Sequence, residues 1–191
     1  MQKLLTDISN CTHCATFLPL GPNPVVRASK TAKILIIGQA PGTKVHQTGI
    51  PWNDPSGNQL RKWLNISNDV FYDTSKIAIV PMGFCYPGKG KTGDLPPRKE
   101  CAPLWHEKLL IQMPDLELIL LIGQYSQKYY LNNKNKATLT ETVSSFEEYL
   151  PKYFPLPHPS PRNRFWLQKN QWFEESVIPI LRKKVTSILS K

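Results

Sequence analysis

The chain has 191 residues, of which 40% are apolar and 20% charged, and its formal net charge is +10 at pH 7. This length suits one α/β domain with a sizeable core, and we expect a single domain over residues 1–191. The sequence shows no apolar run long enough to cross a bilayer and no secretory signal at its start. We therefore expect a cytoplasmic protein without a membrane partner.

The positive charge predicts a polyanionic partner, and nucleic acid is the commonest one. Basic residues stand in small scattered groups, such as Arg27, Lys30 and Lys33. No block of them is long enough to form a disordered basic tail. A charged surface that only favours solubility is the alternative interpretation.

The predicted elements alternate between strand and helix. Apolar runs without polar alternation are typical of parallel strands covered on both faces, and they occupy residues 32–42, 76–82, 116–123 and, less regularly, 152–161. Helices are predicted over residues 56–64, 98–112, 124–131 and 164–189, the last with a break at Pro179. This order predicts an α/β fold, a three-layer α/β/α sandwich around a central four-stranded parallel sheet.

The predicted sheet also indicates where a functional site would lie. Ligands of such sheets bind beyond the carboxyl ends of the strands. We therefore expect the loops after Ile37, Met82 and Leu156 to converge on one site.

The chain has four cysteines, and two of them form a C-x2-C pair: Cys11, Cys14, Cys85 and Cys101. Four thiolates suit either a tetrahedral zinc ion or an iron–sulfur cluster. Four free buried cysteines, or a redox pair at Cys11 and Cys14, are the alternatives. The long gap between Cys14 and Cys85 is unlike a compact zinc ribbon, so a folded domain must bring the pairs together.

Two motifs follow the first and the last predicted strand. The first is Gly38-Gln39-Ala40-Pro41-Gly42, followed by Gln47-Thr48-Gly49-Ile50-Pro51-Trp52, and the second is His158-Pro159-Ser160-Pro161-Arg162-Asn163. Together they resemble the two active-site motifs of uracil-DNA glycosylases, and the cysteine layout is similar to the iron–sulfur, family 4-like branch. The resemblance implies a [4Fe-4S] cluster on the four cysteines, with zinc as the less expected occupant, and DNA as the partner of a monomer.

The resemblance also implies roles for individual residues. His158 would donate a hydrogen bond to the departing base, and Trp52 would stack on it. The alternatives are a capping or packing histidine and a core tryptophan. The base pocket is expected to comprise Gly38, Ala40, Pro41, Gly42, Gln47, Trp52 and Asn53. Ser160 would bond a DNA phosphate, while Pro161, Arg162 and Asn163 would wedge into the duplex. A plain surface charge is the alternative for Arg162.

The sequence departs from the family pattern at two positions. Gln39 stands where the iron–sulfur family usually has Glu, so a carboxylate is absent from its usual place. Asp54 is the nearest substitute, with His46 and Gln47 as polar alternatives, although Asp54 could equally be a turn residue before Pro55.

Pro81 stands where the family has the Asn that reads the uracil edge. Asn53 or Asn58 are the candidates to replace it. Residues 86–100 contain no His, so the covalent bond to abasic sites seen in one branch is not expected here.

These patterns predict a DNA glycosylase that flips uracil, or another deaminated or damaged base, and hydrolyses its N-glycosidic bond. Since no Lys stands out as a Schiff-base nucleophile, we expect a monofunctional enzyme with Gln39, Asp54 and His158 at its catalytic centre. The alternatives are a DNA-binding module that retains the fold and cluster without efficient catalysis, and a thiol redox protein.

Overall fold

The computed structural model describes residues 1–190 and contains one parallel sheet. Its four strands are β1 (Ile34–Ile37), β2 (Ile77–Ile79), β3 (Leu118–Ile122) and β4 (Tyr153–Leu156). They lie in the order β2-β1-β3-β4, and every neighbouring pair is parallel. All four predicted strands are confirmed, each shorter than the segment that predicted it.

Helices account for most of the connections between strands. The described residues form α1 (Gln2–Ser9), α2 (Thr43–Thr48), α3 (Pro55–Leu64), α4 (Asn68–Tyr72), α5 (Cys101–Ile111), α6 (Gln124–Leu131), α7 (Leu139–Ser144), α8 (Arg164–Lys169) and α9 (Ile178–Leu189). Short 3-10 turns occupy Ala15–Phe17, Phe146–Tyr149 and Pro161–Asn163.

The sheet divides the core into two apolar clusters, because successive side chains of a strand point to opposite faces. Ile34 and Ile36 of β1 pack in the cluster that contains residues of α3 and α9. Leu35 and Ile37 pack in the cluster that contains residues of α1, α5 and α6. Helices therefore cover both faces, and the predicted three-layer α/β/α architecture is confirmed.

The predicted break at Pro179 is wrong. The helical segment is interrupted at Asn170, which leaves the helical region at φ −126° and whose side chain donates to the Trp166 carbonyl at 2.8 Å. The chain then forms a π-helical segment over Phe173–Val177 and continues directly into α9, which has Pro179 near its start. The wider π-helical segment accommodates the ring of Pro179, which would clash with the carbonyl four residues earlier in a regular α-helix.

Four short helices were not predicted from the sequence: α1, α2, α4 and α7. Local caps rather than long apolar periodicity define two of them. Ser67 accepts from the Val70 amide at the start of α4. Thr138 and Glu141 form a capping box at the start of α7.

None of the helices within residues 1–190 is long and apolar enough to cross a membrane.

Candidate active site and cysteine group

A cavity of about 420 Å³ opens beyond the carboxyl ends of β1, β2 and β4. The three loops expected to converge there do so, because Gly38, Asp94 and His158 all line it. The predicted site residues that line it are Gly38, Gln39, Ala40, Pro41, Gly42, Trp52, Asp54, His158, Ser160, Arg162 and Asn163. The strand order thus brings together residues that are more than a hundred positions apart in the chain.

His158 lies two residues beyond the end of β4, between Pro157 and Pro159. The Asn163 side chain donates to the His158 carbonyl at 2.7 Å and so closes the loop behind it. No hydrogen bond to either ring nitrogen of His158 is formed within the described part of the chain. Burial lowers the pKa of His158, an effect that the negative charge of Asp54 partly opposes. The ring is therefore neutral at pH 7, with one N–H to donate.

Trp52 lies beside His158, with 5.6 Å between the ring centroids. Its backbone has φ +58°, a left-handed conformation that few residues with a side chain adopt. Two glycines leave room for it: a Cβ on Gly38 would come within 2.7 Å of the indole, and a Cβ on Gly57 would overlap the Trp52 carbonyl oxygen. Arg61 donates to that same oxygen at 3.3 Å. Trp52 is thus held in one orientation at the cavity wall.

Asp54 is the turn residue before Pro55 that was one of the two expectations for it, and it also borders the cavity. Its Oδ1 accepts from the Gly57 amide at 2.8 Å and caps the start of α3, with Pro55 as the first helical residue. Its carboxylate also lines the cavity and acts electrostatically on His158. One carboxylate oxygen is therefore committed to the backbone of α3.

Asp94 is a second carboxylate in the cavity, and sequence reasoning missed it. It belongs to a glycine-rich loop, residues 88–95, in which the Leu95 amide donates to the Gly88 carbonyl at 2.8 Å. A Cβ placed on Gly42 would lie 3.5 Å from Asp94 Oδ2, so this carboxylate faces the first motif. The available signal was an acidic residue in a glycine-rich loop after a strand.

Arg162 ties this loop to the second motif. Its Nη1 donates to the Thr92 carbonyl at 3.0 Å. The guanidinium occupies the space where Gly93 would carry a Cβ. Arg162 therefore bridges two walls of the cavity mouth, a contact that the expected wedge or surface-charge roles did not include.

Several predicted residues take other positions. Gln47 lies exposed on α2, and neither it nor Asn53 lines the cavity. Asn58 is also exposed and accepts from Arg61 at 2.7 Å. Ser160 accepts from the Arg162 amide at 3.3 Å, and Pro161 is exposed outside the cavity.

Pro81 lines the cavity but offers it no hydrogen-bond donor. Its carbonyl accepts from Nε2 of the buried His106 at 3.0 Å. Nδ1 of His106 in turn lies 2.6 Å from the Tyr130 hydroxyl. Burial lowers the pKa of His106 to about 4, so its ring is neutral and Tyr130 donates to it.

The four cysteines line one small cavity of about 20 Å³ together with Phe84 and Arg98: Cys11, Cys14, Cys85 and Cys101. None of the four forms a disulfide. The Phe84 amide donates to Cys101 Sγ at 3.4 Å. Burial raises the pKa of Cys14, of Cys85 and, to about 12, of Cys101. Within residues 1–190, no three His, Cys, Asp or Glu side chains stand close enough to hold a single metal ion.

Fold and cavity together define an α/β protein whose candidate site lies at the carboxyl edge of a parallel sheet. The Uracil DNA glycosylase superfamily model matches residues 26–182 of the sequence, and the chain belongs to that superfamily.

The chain is also similar to two individual proteins. The chain is 22% identical over 168 residues to the type-4 uracil-DNA glycosylase of Sulfurisphaera tokodaii, an alignment that covers 84% of this chain and 74% of the relative. A similar solved structure is wild-type SMUG2 of Pedobacter heparinus, with 13% identity, a TM-score of 0.47, and coverage of 80% of this chain and 76% of that one. The predicted resemblance to the superfamily and its family 4-like branch is confirmed.

Proposed function

We propose that the protein is a monofunctional DNA glycosylase that takes a flipped uracil, or another deaminated base, into the cavity and hydrolyses its N-glycosidic bond. The position of His158 is the observation that carries this proposal. Its ring nitrogens have no partner within the described residues, and it lies beside Trp52 in a cavity at the edge where α/β sheets bind ligands.

Breaking the glycosidic bond leaves negative charge on the base and positive charge on the sugar. The neutral imidazole of His158 donates its hydrogen to the base oxygen where that charge develops, which stabilises the transition state more than the ground state. The indole of Trp52 stacks on the base and holds it against this donor. No lysine lines the cavity among the described residues, which supports hydrolysis without a Schiff base.

The mouth of the cavity suits a DNA backbone. Arg162 and Ser160 lie on its rim, and Arg164 and Lys91 are exposed nearby in the sequence. The net charge of +10 supplies the long-range attraction for a polyanion. We propose that this rim contacts phosphates on either side of the flipped nucleotide.

We also propose that the four cysteines hold a [4Fe-4S] cluster, with zinc as the less favoured occupant. Four thiols around one cavity and an amide donor to Cys101 fit a cluster, whose separate irons need not draw the ligands onto a single point. When bound, the cluster would cross-link the segment before β1, the loop after β2 and the start of α5. Metal and iron analysis of the purified protein tests this assignment.

The function is tested by incubating excess protein with labelled oligonucleotides that carry uracil (single-stranded, opposite G or opposite A), hypoxanthine or xanthine, followed by alkaline cleavage. We expect one substrate to be cleaved by the wild type and by Asp115→Asn, which alters an exposed residue that does not line the cavity. We expect no cleavage by His158→Ala. Equal cleavage by His158→Ala would contradict the proposed role of His158.

A DNA-binding module without catalysis is the second candidate. It is favoured by Pro81, which presents no donor and whose carbonyl is already bonded to His106. Folded, metal-loaded protein that binds DNA but cleaves none of these substrates would establish this alternative.

A further inference from the structure

Two carboxylates line the candidate active site, and they differ in how they are engaged. Asp54 accepts a hydrogen bond from the Gly57 amide and caps α3. Asp94 forms no hydrogen bond or ion pair through its carboxylate within the described residues, although it lines the same cavity. A carboxylate without a partner at the mouth of a binding cavity is available to act on a bound molecule.

The two carboxylates also face different parts of the cavity. Asp54 acts electrostatically on His158, the residue proposed to contact the base. Asp94 instead faces Gly42, in the turn that carries Gln39 in place of an acid. Gly42 has no side chain, so nothing separates the Asp94 carboxylate from the backbone of that turn.

We propose that Asp94 supplies the carboxylate that the first motif lacks, and that it acts as the general base for the attacking water. This inference rests on the proposed glycosylase function and names a further catalytic residue for that reaction. The loop after β2, rather than the turn after β1, then provides the catalytic carboxylate.

The C1′–N bond breaks and its electron pair leaves with the base, where the His158 N–H stabilises the negative charge. The oxygen of one water molecule forms a bond to C1′. A proton of that water passes to the Asp94 carboxylate, which also stabilises the positive charge on the sugar, and it is released to solvent after the base departs.

Arg162 is the positioning residue for Asp94. Residues 89–95 of the loop that carries Asp94 are exposed or half-buried, and within the loop the Leu95 amide donates to the Gly88 carbonyl. The bond from Arg162 to the Thr92 carbonyl fixes the chain two residues before Asp94. Gly93 allows this approach, because any larger residue there would displace the guanidinium.

The test is single-turnover excision, with enzyme at saturating excess, on the oligonucleotide that the wild type cleaves. Asp94→Asn should slow excision by about 100-fold or more, the range of general base catalysis. Its affinity for DNA, measured by fluorescence anisotropy, should stay within about 3-fold of the wild-type affinity. Such a change in binding free energy is well below the 1.4 kcal/mol that corresponds to a factor of 10.

Asp115→Asn is the matched control, because Asp115 is exposed at the opposite edge of the sheet, before β3. It should excise at the wild-type rate. If Asp94→Asn also excises within about 3-fold of the wild type, less than general base catalysis supplies, the inference is wrong and the glycosylase function stands. If the wild type cleaves no substrate, the proposed function itself fails.

A double-mutant cycle tests the positioning role. Arg162→Gln should slow the saturated rate, and Asp94→Asn combined with Arg162→Gln should be no slower than Asp94→Asn alone. Losses that multiply would show that Arg162 acts independently of Asp94, and would overturn its role as the positioning residue.

Discussion

Two histidines border the candidate active site, and their surroundings differ in one decisive respect. His106 lies behind the cavity wall on α5, where both ring nitrogens are engaged by Tyr130 and by the Pro81 carbonyl. Its ring also stacks on Phe84, with 5.6 Å between the centroids. Every polar group of this histidine is thus satisfied by the protein.

His158 lies at the cavity itself, and the described residues provide no partner for its ring nitrogens. Burial lowers the pKa of both histidines, so both rings are neutral at pH 7. A lowered pKa therefore does not distinguish a functional histidine from a structural one. The difference lies in whether the ring has a hydrogen bond left to offer to a ligand.

The largest expected effect separates the two histidines by exchanging each for Gln. His158→Gln should reduce single-turnover excision by about 10²- to 10⁴-fold, the contribution of one positioned donor, with an unchanged melting temperature. His106→Gln should lower the melting temperature, because it disrupts a buried network, while the protein that remains folded still excises. The opposite pattern would mean that the assignment of the two residues is reversed.

The second effect is a loss of stability at acid pH. Between pH 6.5 and about 4, the unfolded chain protonates His106 and the folded chain does not, so the free energy of unfolding falls as pH falls. His106 should account for about 3 kcal/mol of that fall, as a 2.5-unit shift implies at 1.36 kcal/mol per unit. Urea denaturation at pH 7, 5 and 4 measures it. In His106→Gln, the free energy of unfolding should depend less steeply on pH. An equally steep dependence would mean that His106 is not its cause.

A smaller effect is expected from Tyr130→Phe. This change leaves Nδ1 of His106 without its donor in a buried site, which costs about 1–3 kcal/mol of the free energy of unfolding. Excision should be unaffected, since Tyr130 does not line the cavity. Tyr129→Phe, which alters the exposed neighbouring tyrosine, is the control and should be neutral.

The smallest effect concerns the cap that lies next to His158. Asp54→Ala removes the acceptor for the Gly57 amide and should destabilise the protein by about 1 kcal/mol. Because the charge of Asp54 raises the pKa of His158, its removal should lower that pKa further. Histidine NMR titration of the wild type and the variant checks the direction. An increase in the His158 pKa would mean that Asp54 does not act on the ring as a charge.

The sheet was the most predictable part of the fold. The apolar runs around Ile36, Ala78, Leu120 and Phe154 predicted strands, and their alternation with helices predicted a three-layer sandwich. Continuous apolar segments of this kind are a strong signal because both faces of a parallel strand are buried. Short helices such as α4 and α7 were missed, since their caps rather than their periodicity define them.

The site was predictable where a residue sits in a rigid motif beside a strand. Gly38 and His158 are each within two residues of a strand end, so the strands determine where they lie. Asp94 is separated from β2 by a long loop, and Arg162 contacts this loop at the Thr92 carbonyl, across 70 residues. Tertiary contacts of this kind leave no local pattern in a sequence.

The bond between His106 and residue 81 bears on how such proteins diverge. It uses only the backbone carbonyl of Pro81, so any amino acid at this position could keep the bond. Mutations at position 81 could therefore change what the cavity wall presents to a base without dismantling the network behind it. A side chain that recognises the base could in this way be lost or regained at position 81 without loss of the hydrogen bond that supports the fold.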